Sequence, residues 1–249
     1  MILKIINPNM TASMTASIEK CAAQYASKDT QLICESARFG VNSIECFTDE
    51  TLAIPAILES IGRGDREQNI DGYIIACFDD PGLHAAREFT DKPVVGIAEA
   101  AIMTARLIAP SFSIISILDR SKKMTEELIQ RNAAERFCRS IRTTGWSVLE
   151  FEKDVEGGMD ALAEASRKAV EEDKAECILL GCAGFVDFAQ ELRQILGVPV
   201  IDGVMPAVKF AEALVEMDLK TSKQSGWGYP EEKVYYGYQN LVNIGRGEI

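Results

Sequence analysis

The sequence predicts an α/β protein of two pseudo-symmetric lobes, each a four-stranded, mainly parallel sheet flanked by helices, with a cleft between them. Three observations predict it. Short apolar runs alternate with segments whose apolar residues recur at helical spacing, the pattern of parallel sheets covered by helices on both faces. The two halves of the chain repeat each other, as an internal duplication would. The chain has 249 residues, of which 47% are hydrophobic and 26% charged. Those values suit a folded chain with one large domain or two of about 120 residues.

The elements follow in order. Leu3-Lys4-Ile5-Ile6 reads as a short buried strand, and Met14, Ile18, Cys21 and Tyr25 fall on one face of a helix. Gln31 to Cys34 is a second strand. Ile54, Ile57, Leu58 and Ile61 mark a helix that Gly62 and Gly64 are expected to end. Gly72 to Ala76 and Val94 to Ile97 are the third and fourth strands, with a helix from about Leu83 to Phe89 between them. The second half repeats the order, with a strand from Phe112 to Leu118, then a helix around Met124, Leu128, Ala133 and Phe137. A strand is expected from Trp146 to Phe151. Met159, Leu162, Ser166 and Val170 share a helical face. Cys177 to Leu180 is a strand, a helix runs through Leu192, Val198 to Ile201 is a strand, and Val204, Val208, Ala211 and Val215 face inward from a long last helix. Lys4-Ile5-Ile6-Asn7 sets against Ser113-Ile114-Ile115-Ser116, and the strand ending at Cys77 sets against the strand ending at Cys182.

Composition narrows the partners. The formal charge is −12, from 38 acidic against 26 basic residues. No Lys/Arg run offsets it, so no nucleic acid and no anionic membrane surface is expected as partner. No apolar stretch approaches the roughly 18 residues of a bilayer span. The first residues lack the charged start and long apolar centre of a signal peptide, and a cytoplasmic location is the expectation. Seven scattered cysteines without a CxxC pair indicate neither a disulfide framework nor a zinc ribbon.

Two of the seven stand apart. Cys77 and Cys182 each follow a buried strand at matching points of the repeat. In open α/β sheets ligands bind at the carboxyl ends of the strands. The nearby start of the next helix offers free N–H groups and positive potential, and is expected to lower the thiol pKa from its usual ~8.5. A single such cysteine reads most simply as a small buried apolar residue. Two in equivalent places suit a reaction in which one thiolate removes a proton from carbon beside a carbonyl and the opposing thiol returns one to the other face. Each group then serves as base in one direction and acid in the other, and no cofactor is required.

The motifs carrying these residues resemble the hydantoin/allantoin racemase branch of the aspartate/glutamate racemase superfamily. They are Ile6-Asn7-Pro8-Asn9, Ala76-Cys77-Phe78-Asp79-Asp80-Pro81-Gly82-Leu83, Val95-Gly96-Ile97-Ala98-Glu99-Ala100, Leu180-Gly181-Cys182-Ala183-Gly184-Phe185, Pro199-Val200-Ile201-Asp202-Gly203-Val204, and a tail with Thr221-Ser222-Lys223 and Tyr229-Pro230. The resemblance spans nearly the whole chain. It implies a cofactor-independent racemase, without metal, whose acid/base pair is Cys77 and Cys182. It implies a small-molecule substrate held by Asn7, Asn9, Phe78, Asp79, Ser116, Ala183, Gly184 and Phe185, and an active site in the cleft between lobes. It further implies a homo-oligomer, a first lobe of residues 1–97 with the helix and arm 205–249 packing back on it, and a second lobe of residues 98–204. Glutamate and aspartate racemases typically carry Asn-Thr after the first cysteine and Thr-His after the second. Here Phe78-Asp79 and Ala183-Gly184 stand there, which suits a neutral flat ring over a free amino acid. The branch often pairs hydroxyls near the end of the fifth strand, where this chain has Ser116 followed by Ile117.

Other readings stay beside this one. An amino-acid racemase, isomerase or decarboxylase of the same superfamily is one alternative, and a non-catalytic small-molecule binding protein is another. Asp79 and Asp80 are also suited to cap the helix after Cys77. Asn7 and Asn9 also suit a plain strand-to-helix loop. Glu99 and Asp202 read as loop-ordering or capping residues. The single histidine, His84, reads as a helix-face residue, and one histidine excludes most zinc centres. Trp227 and the tyrosines at 229, 235, 236 and 238 are expected at a subunit interface.

Overall fold

The computed structural model describes residues 1–231 and 233–238. The end of the expected arm, residues 239–249, lies outside the described residues. The first half runs β1 (Ile2–Asn7), α1 (Ala12–Tyr25), β2 (Gln31–Ser36), α2 (Phe47–Glu67), β3 (Gly72–Ile75), α3 (Leu83–Phe89), β4 (Val94–Gly96) and α4 (Ile97–Ile108). The second runs β5 (Phe112–Ser116), α5 (Lys122–Arg131), β6 (Cys138–Thr143), α6 (Val148–Lys153), α7 (Val155–Glu171), β7 (Ile178–Leu180), α8 (Ala189–Leu196), β8 (Val200–Ile201) and α9 (Val204–Glu216). Among the described residues all strand pairs are parallel, in two sheets of order β2-β1-β3-β4 and β6-β5-β7-β8. The α/β class and the two four-stranded sheets are those the alternation predicts.

The matching strand orders place the functional ends of the strands. In each sheet the chain leaves the first strand toward one edge and returns on its other side. A crevice therefore opens at the carboxyl ends, between β1 and β3 in one sheet and between β5 and β7 in the other. Asn7 ends β1 and Ser116 ends β5, while Cys77 and Cys182 lie two residues beyond β3 and β7.

Side-chain alternation gives each strand two buried faces. Leu3, Ile5 and Ile74 join Ile18, Val208, Ile115 and Leu180 in the largest core, which spans both sheets. Ile6, Ile75 and Tyr73 face the α2 residues Ile57 and Ile61, and Ile114 and Leu179 face Leu128, Ile129 and Ile102. Lys4 sits wholly buried within β1, yet its ammonium donates to Ser60 O and Gln68 Oε1 and pairs with Glu35, each at 2.9 Å. Helix α9 lies against β3, β4, α1 and α4. Among the described residues, no helix is long and apolar enough to cross a membrane.

Several elements differ from the sequence reading. Residues 146–151 are not a strand. Ser147 and Glu150 form a reciprocal capping box that starts α6, and the fourth strand of the second sheet is β6, at its edge. Helix α5 stops at Arg131, and Ala133 takes a left-handed φ of 48°. Helix α2 runs on through Gly62 and Gly64 to Glu67. Gly64 serves close approach there, since a Cβ would fall 2.6 Å from Tyr73 Oη, which donates to Ile61 O and Asp65. Helix α4, which the sequence reading leaves unassigned, is the apolar link between the halves. After Cys182 the chain first makes a 3-10 segment, Ala183–Phe188, before α8. Trp227 donates to His84 Nδ1 at 3.2 Å and stacks on that ring.

Candidate active site

The two sheet crevices face each other across one small pocket. Cys77 and Cys182 both line it, with Asn9, Phe78, Asp79, Ser116 and Ala183. Three other candidates lie outside this lining. Asn7 donates from Nδ2 to Asn9 Oδ1 and Thr15 Oγ1, both at 2.9 Å, and so fixes the Asn9 amide. Gly184 and Phe185 line a larger neighbouring hollow. The small pocket measures about 30 Å3.

The sequence reading missed several members. Ser121 places its Oγ 3.0 Å from that of Ser116 and lines the same pocket, completing a pair of hydroxyls. Its only signal is a serine five residues beyond Ser116. Met14, Ile44, Ile117 and Val148 supply apolar walls. The segments around the pocket are tied across the two halves. Glu45 Oε1 accepts from Val148 N at 3.2 Å, and Arg131 donates to the Asp79 carbonyl at 2.7 Å.

Asp80 does not cap α3, whose N-cap is Gly82 without a side-chain cap bond. Its carboxylate instead accepts from Ala98 N at 3.0 Å and Glu99 N at 2.8 Å, the first turn of α4. Burial pushes its carboxyl up to about 7, against the pull of those two amides. A Cβ at Gly96 would overlap this carboxyl group, so Gly96 is part of the same arrangement. In the second half Asp202 accepts from Met205 N at 2.9 Å and so caps α9.

The thiols are not depressed as their position suggests. Burial pushes the Cys182 thiol up to about 12 and the Cys77 thiol well above its ordinary value. Both keep some exposed surface only because they line the pocket. Gly184 N–H donates to Cys182 Sγ at 3.4 Å, and the Asp79 amide does likewise for Cys77, but these donors do not offset desolvation. The Asp79 carboxylate raises both thiols further. Asp79 itself is pushed up to about 7 by burial, then by Glu50 and Asp80, with Arg131 pulling the other way. Burial thus disfavours the charged forms of both thiols and of the Asp79 carboxyl alike.

This gives a pH prediction. Asp79→Asn removes the charge that suppresses thiolate formation. Alkylation of the site thiols by iodoacetamide at pH 8 is expected to become several-fold faster, and the alkaline limb of the activity profile to move to lower pH. A raised carboxyl pKa means that ionising Asp79 weakens the fold as pH climbs from about 4 toward 7. The variant is therefore also expected to resist urea better above pH 7. Unchanged alkylation and unchanged profiles contradict this role.

Among the described residues, no group of three or more His, Cys, Asp or Glu side chains is placed to hold a metal ion.

Comparison with known proteins adds to the geometry. A family model described as Asp/Glu/Hydantoin racemase matches residues 3–211. The chain is 49% identical over 248 residues to a hydantoin racemase of Pseudomonas sp. (strain NS671), covering 100% of this chain and 98% of that one. It is 42% identical to a hydantoin racemase of Rhizobium meliloti, covering 96% and 99%. The solved allantoin racemase from Klebsiella pneumoniae superimposes with a TM-score of 0.93 at 39% identity, covering 96% of this chain and 98% of that one.

Proposed function

Because the chain belongs to the Asp/Glu/Hydantoin racemase family, a family of isomerases, we propose that it inverts the C5 centre of a hydantoin-type ring by two-cysteine proton transfer. The substrate class is a 5-substituted hydantoin or allantoin. The observation that carries the reading is the pair of pseudo-equivalent cysteines on one small pocket where the two sheet crevices meet. In the proposed step, the thiolate of one cysteine takes the C5 proton from one face of the ring. The C5–H electron pair moves into the adjacent carbonyl to form an enolate. The thiol of the other cysteine then delivers a proton to the opposite face. The reverse direction exchanges the two roles.

The amide donors beside each cysteine point at sulfur, so they favour the thiolate that must form. The Ser116 hydroxyl is the donor for the developing enolate oxygen, held in place by Ser121, whose own Oγ donates to Leu118 O at 2.7 Å. Removing one such donor typically costs about 3–4 kcal/mol of barrier in acyl transfer, so this contribution is large. A thiol pushed toward 12 is a scarce base at neutral pH but a strong one once ionised, and activity is expected to rise on the alkaline side of neutrality. Asn9, Phe78, Asp79 and Ala183 frame the ring, with Asn7 orienting Asn9. Acidic groups around the pocket, Asp79, Asp80, Glu45 and Glu50, favour a neutral ring over the carboxylate of a free amino acid. A homo-oligomeric assembly belongs to the same proposal, and the exposed Tyr229, Tyr236 and Tyr238 support it. So does a cytoplasmic location, which seven free cysteines support.

Polarimetry tests the reading. Purified protein dialysed against EDTA, with no cofactor added, is expected to bring enantiopure 5-substituted hydantoins or allantoin to zero rotation. No racemisation of any such ring, or activity only with D- or L-glutamate or aspartate, would overturn it. Loss on chelation with recovery on adding zinc or manganese would overturn the cofactor-free mechanism.

A further inference from the structure

The loop between β2 and α2, residues 37–46, spans the cysteine pocket from one half of the chain to the other. At residues 41 and 42 it is tied beside Asn9. Met10 N donates to Val41 O at 2.9 Å, and Thr11 Oγ1 donates to Asn42 O at 2.7 Å. Three residues further on it meets the second half, where Glu45 Oε1 accepts from Val148 N at 3.2 Å. Val148 is the first residue of α6, and a first-turn N–H has no acceptor within its own helix. Ile44, next to this acceptor, and Val148, which carries the donor, both line the pocket. Ile44 is buried with Ala53 and Met124, and Cys77 packs against that cluster. The hydrogen bond therefore sets how closely two apolar walls stand, and with them the shape of the space between the cysteines.

We propose that Glu45 is a positioning residue, which latches the β2–α2 loop onto α6 and so holds Ile44 and Val148 against the ring presented to the two thiols. The inference rests on the racemase reading above. A charged acceptor suits the task, because it binds an amide N–H more strongly than a neutral one does. The same charge acts on Cys182. Burial is the main cause that raises this thiol, and the Asp79 and Glu45 carboxylates add to it. Glu45 thus holds the wall firmly while disfavouring the Cys182 thiolate. Glutamine at this position keeps the acceptor and drops the charge, whereas alanine drops both, so the two substitutions separate the effects.

The test compares the whole wild-type protein with Glu45→Gln, Glu45→Ala, Val148→Pro and the double variant Glu45→Ala/Val148→Pro. Proline removes the donor N–H, suits the first helical position, and here follows Ser147, whose extended ψ of 161° admits it. Two readouts are taken at pH 8. One is kcat/KM on whichever of enantiopure 5-benzylhydantoin, 5-methylhydantoin and allantoin the wild type racemises fastest. The other is the rate at which iodoacetamide alkylates Cys77 and Cys182 without substrate, followed by mass spectrometry of the peptide carrying each. Glu45→Ala and Val148→Pro are each expected to lower kcat/KM roughly tenfold, the size of one hydrogen bond to a charged group, and to speed alkylation of both cysteines. The double variant is expected to fall no lower than the worse single one, since both remove the same bond. Glu45→Gln is expected to stay within about threefold of the wild-type kcat/KM, with faster alkylation of Cys182 and not of Cys77. A folded Glu45→Ala protein with wild-type kcat/KM, or with wild-type Cys77 alkylation, overturns the proposal. So do single effects that multiply in the double variant, and a glutamine variant as impaired as the alanine one. If one variant does not fold, the others decide. Absence of racemisation with every ring overturns the racemase reading, and the alkylation rates then still decide the latch.

Discussion

Replacing either Cys77 or Cys182 by serine is expected to reduce racemisation at least about a thousandfold, since general acid or base groups are worth roughly 100- to 10,000-fold and both thiols take part in every turnover. The two variants should differ in one respect. Each retains a thiol on one face of the ring only. Cys77→Ser is expected to exchange C5 hydrogen for solvent deuterium in one enantiomer, and Cys182→Ser in the other, after subtraction of spontaneous exchange. Proton NMR in deuterium oxide separates the cases. Near-normal racemisation by either variant, or exchange of the same enantiomer by both, contradicts the opposed-thiol arrangement. Burial raises both thiols, so these measurements belong at pH 8 or above.

The second large effect is expected at Asp80, which touches neither cysteine side chain in the proposed chemistry. Its carboxylate is 2% exposed and holds two amides of α4. Asp80→Ala leaves two buried N–H groups without partners, at about 1–3 kcal/mol each. It also puts alanine at a left-handed φ of 47°, which costs roughly 1 kcal/mol more. The expected sum is a loss of about 3–7 kcal/mol by urea unfolding. Activity is expected to fall more than tenfold, because the turn from Cys77 to Gly82 loses its anchor. Asp80→Asn keeps one acceptor and tolerates that backbone, so it is expected to lose no more than about half as much. Stability within about 0.5 kcal/mol of the parent for the alanine variant contradicts this account.

The contrast between these two positions shows what was legible in the sequence. Cys77 and Cys182 were legible because each ends a continuous apolar strand, and the repeat aligned them without any structure. The anchor role of Asp80 was not. Its partners lie 18 and 19 residues away, on the helix after the next strand, and local spacing suggested the nearer helix. Strand β6, Cys138–Thr143, was hidden because an edge strand needs few apolar residues, and its Arg142 pairs with Glu172 and Asp173. The aromatic run from Trp146 to Phe151 drew the strand assignment instead, although Ser147 and Glu150 carried the spacing of a capping box. Ser121 and Val148 reach the site through tertiary folding alone. The thiol shifts were misjudged for a related reason. Position at a strand end is written in the sequence, whereas the depth of burial that outweighs it is not.

The near-duplication of the two halves is imperfect at the point that matters most. Asp79 follows Cys77 by two residues, and the matching position after Cys182 is Gly184. One thiol thus has a carboxylate neighbour in the chain and the other has bare backbone. For a compound with a single stereocentre, the two mirror forms have equal free energy, so the equilibrium constant is one. The ratio kcat/KM must then be identical for the two hands, however unlike the two thiols are. The lopsided charge can express itself only under saturation, as a kcat and a KM that both differ between the enantiomers by the same factor. Exchanging the asymmetry, with Asp79→Gly and Gly184→Asp together, is a way to invert that factor while the equilibrium stays where symmetry puts it.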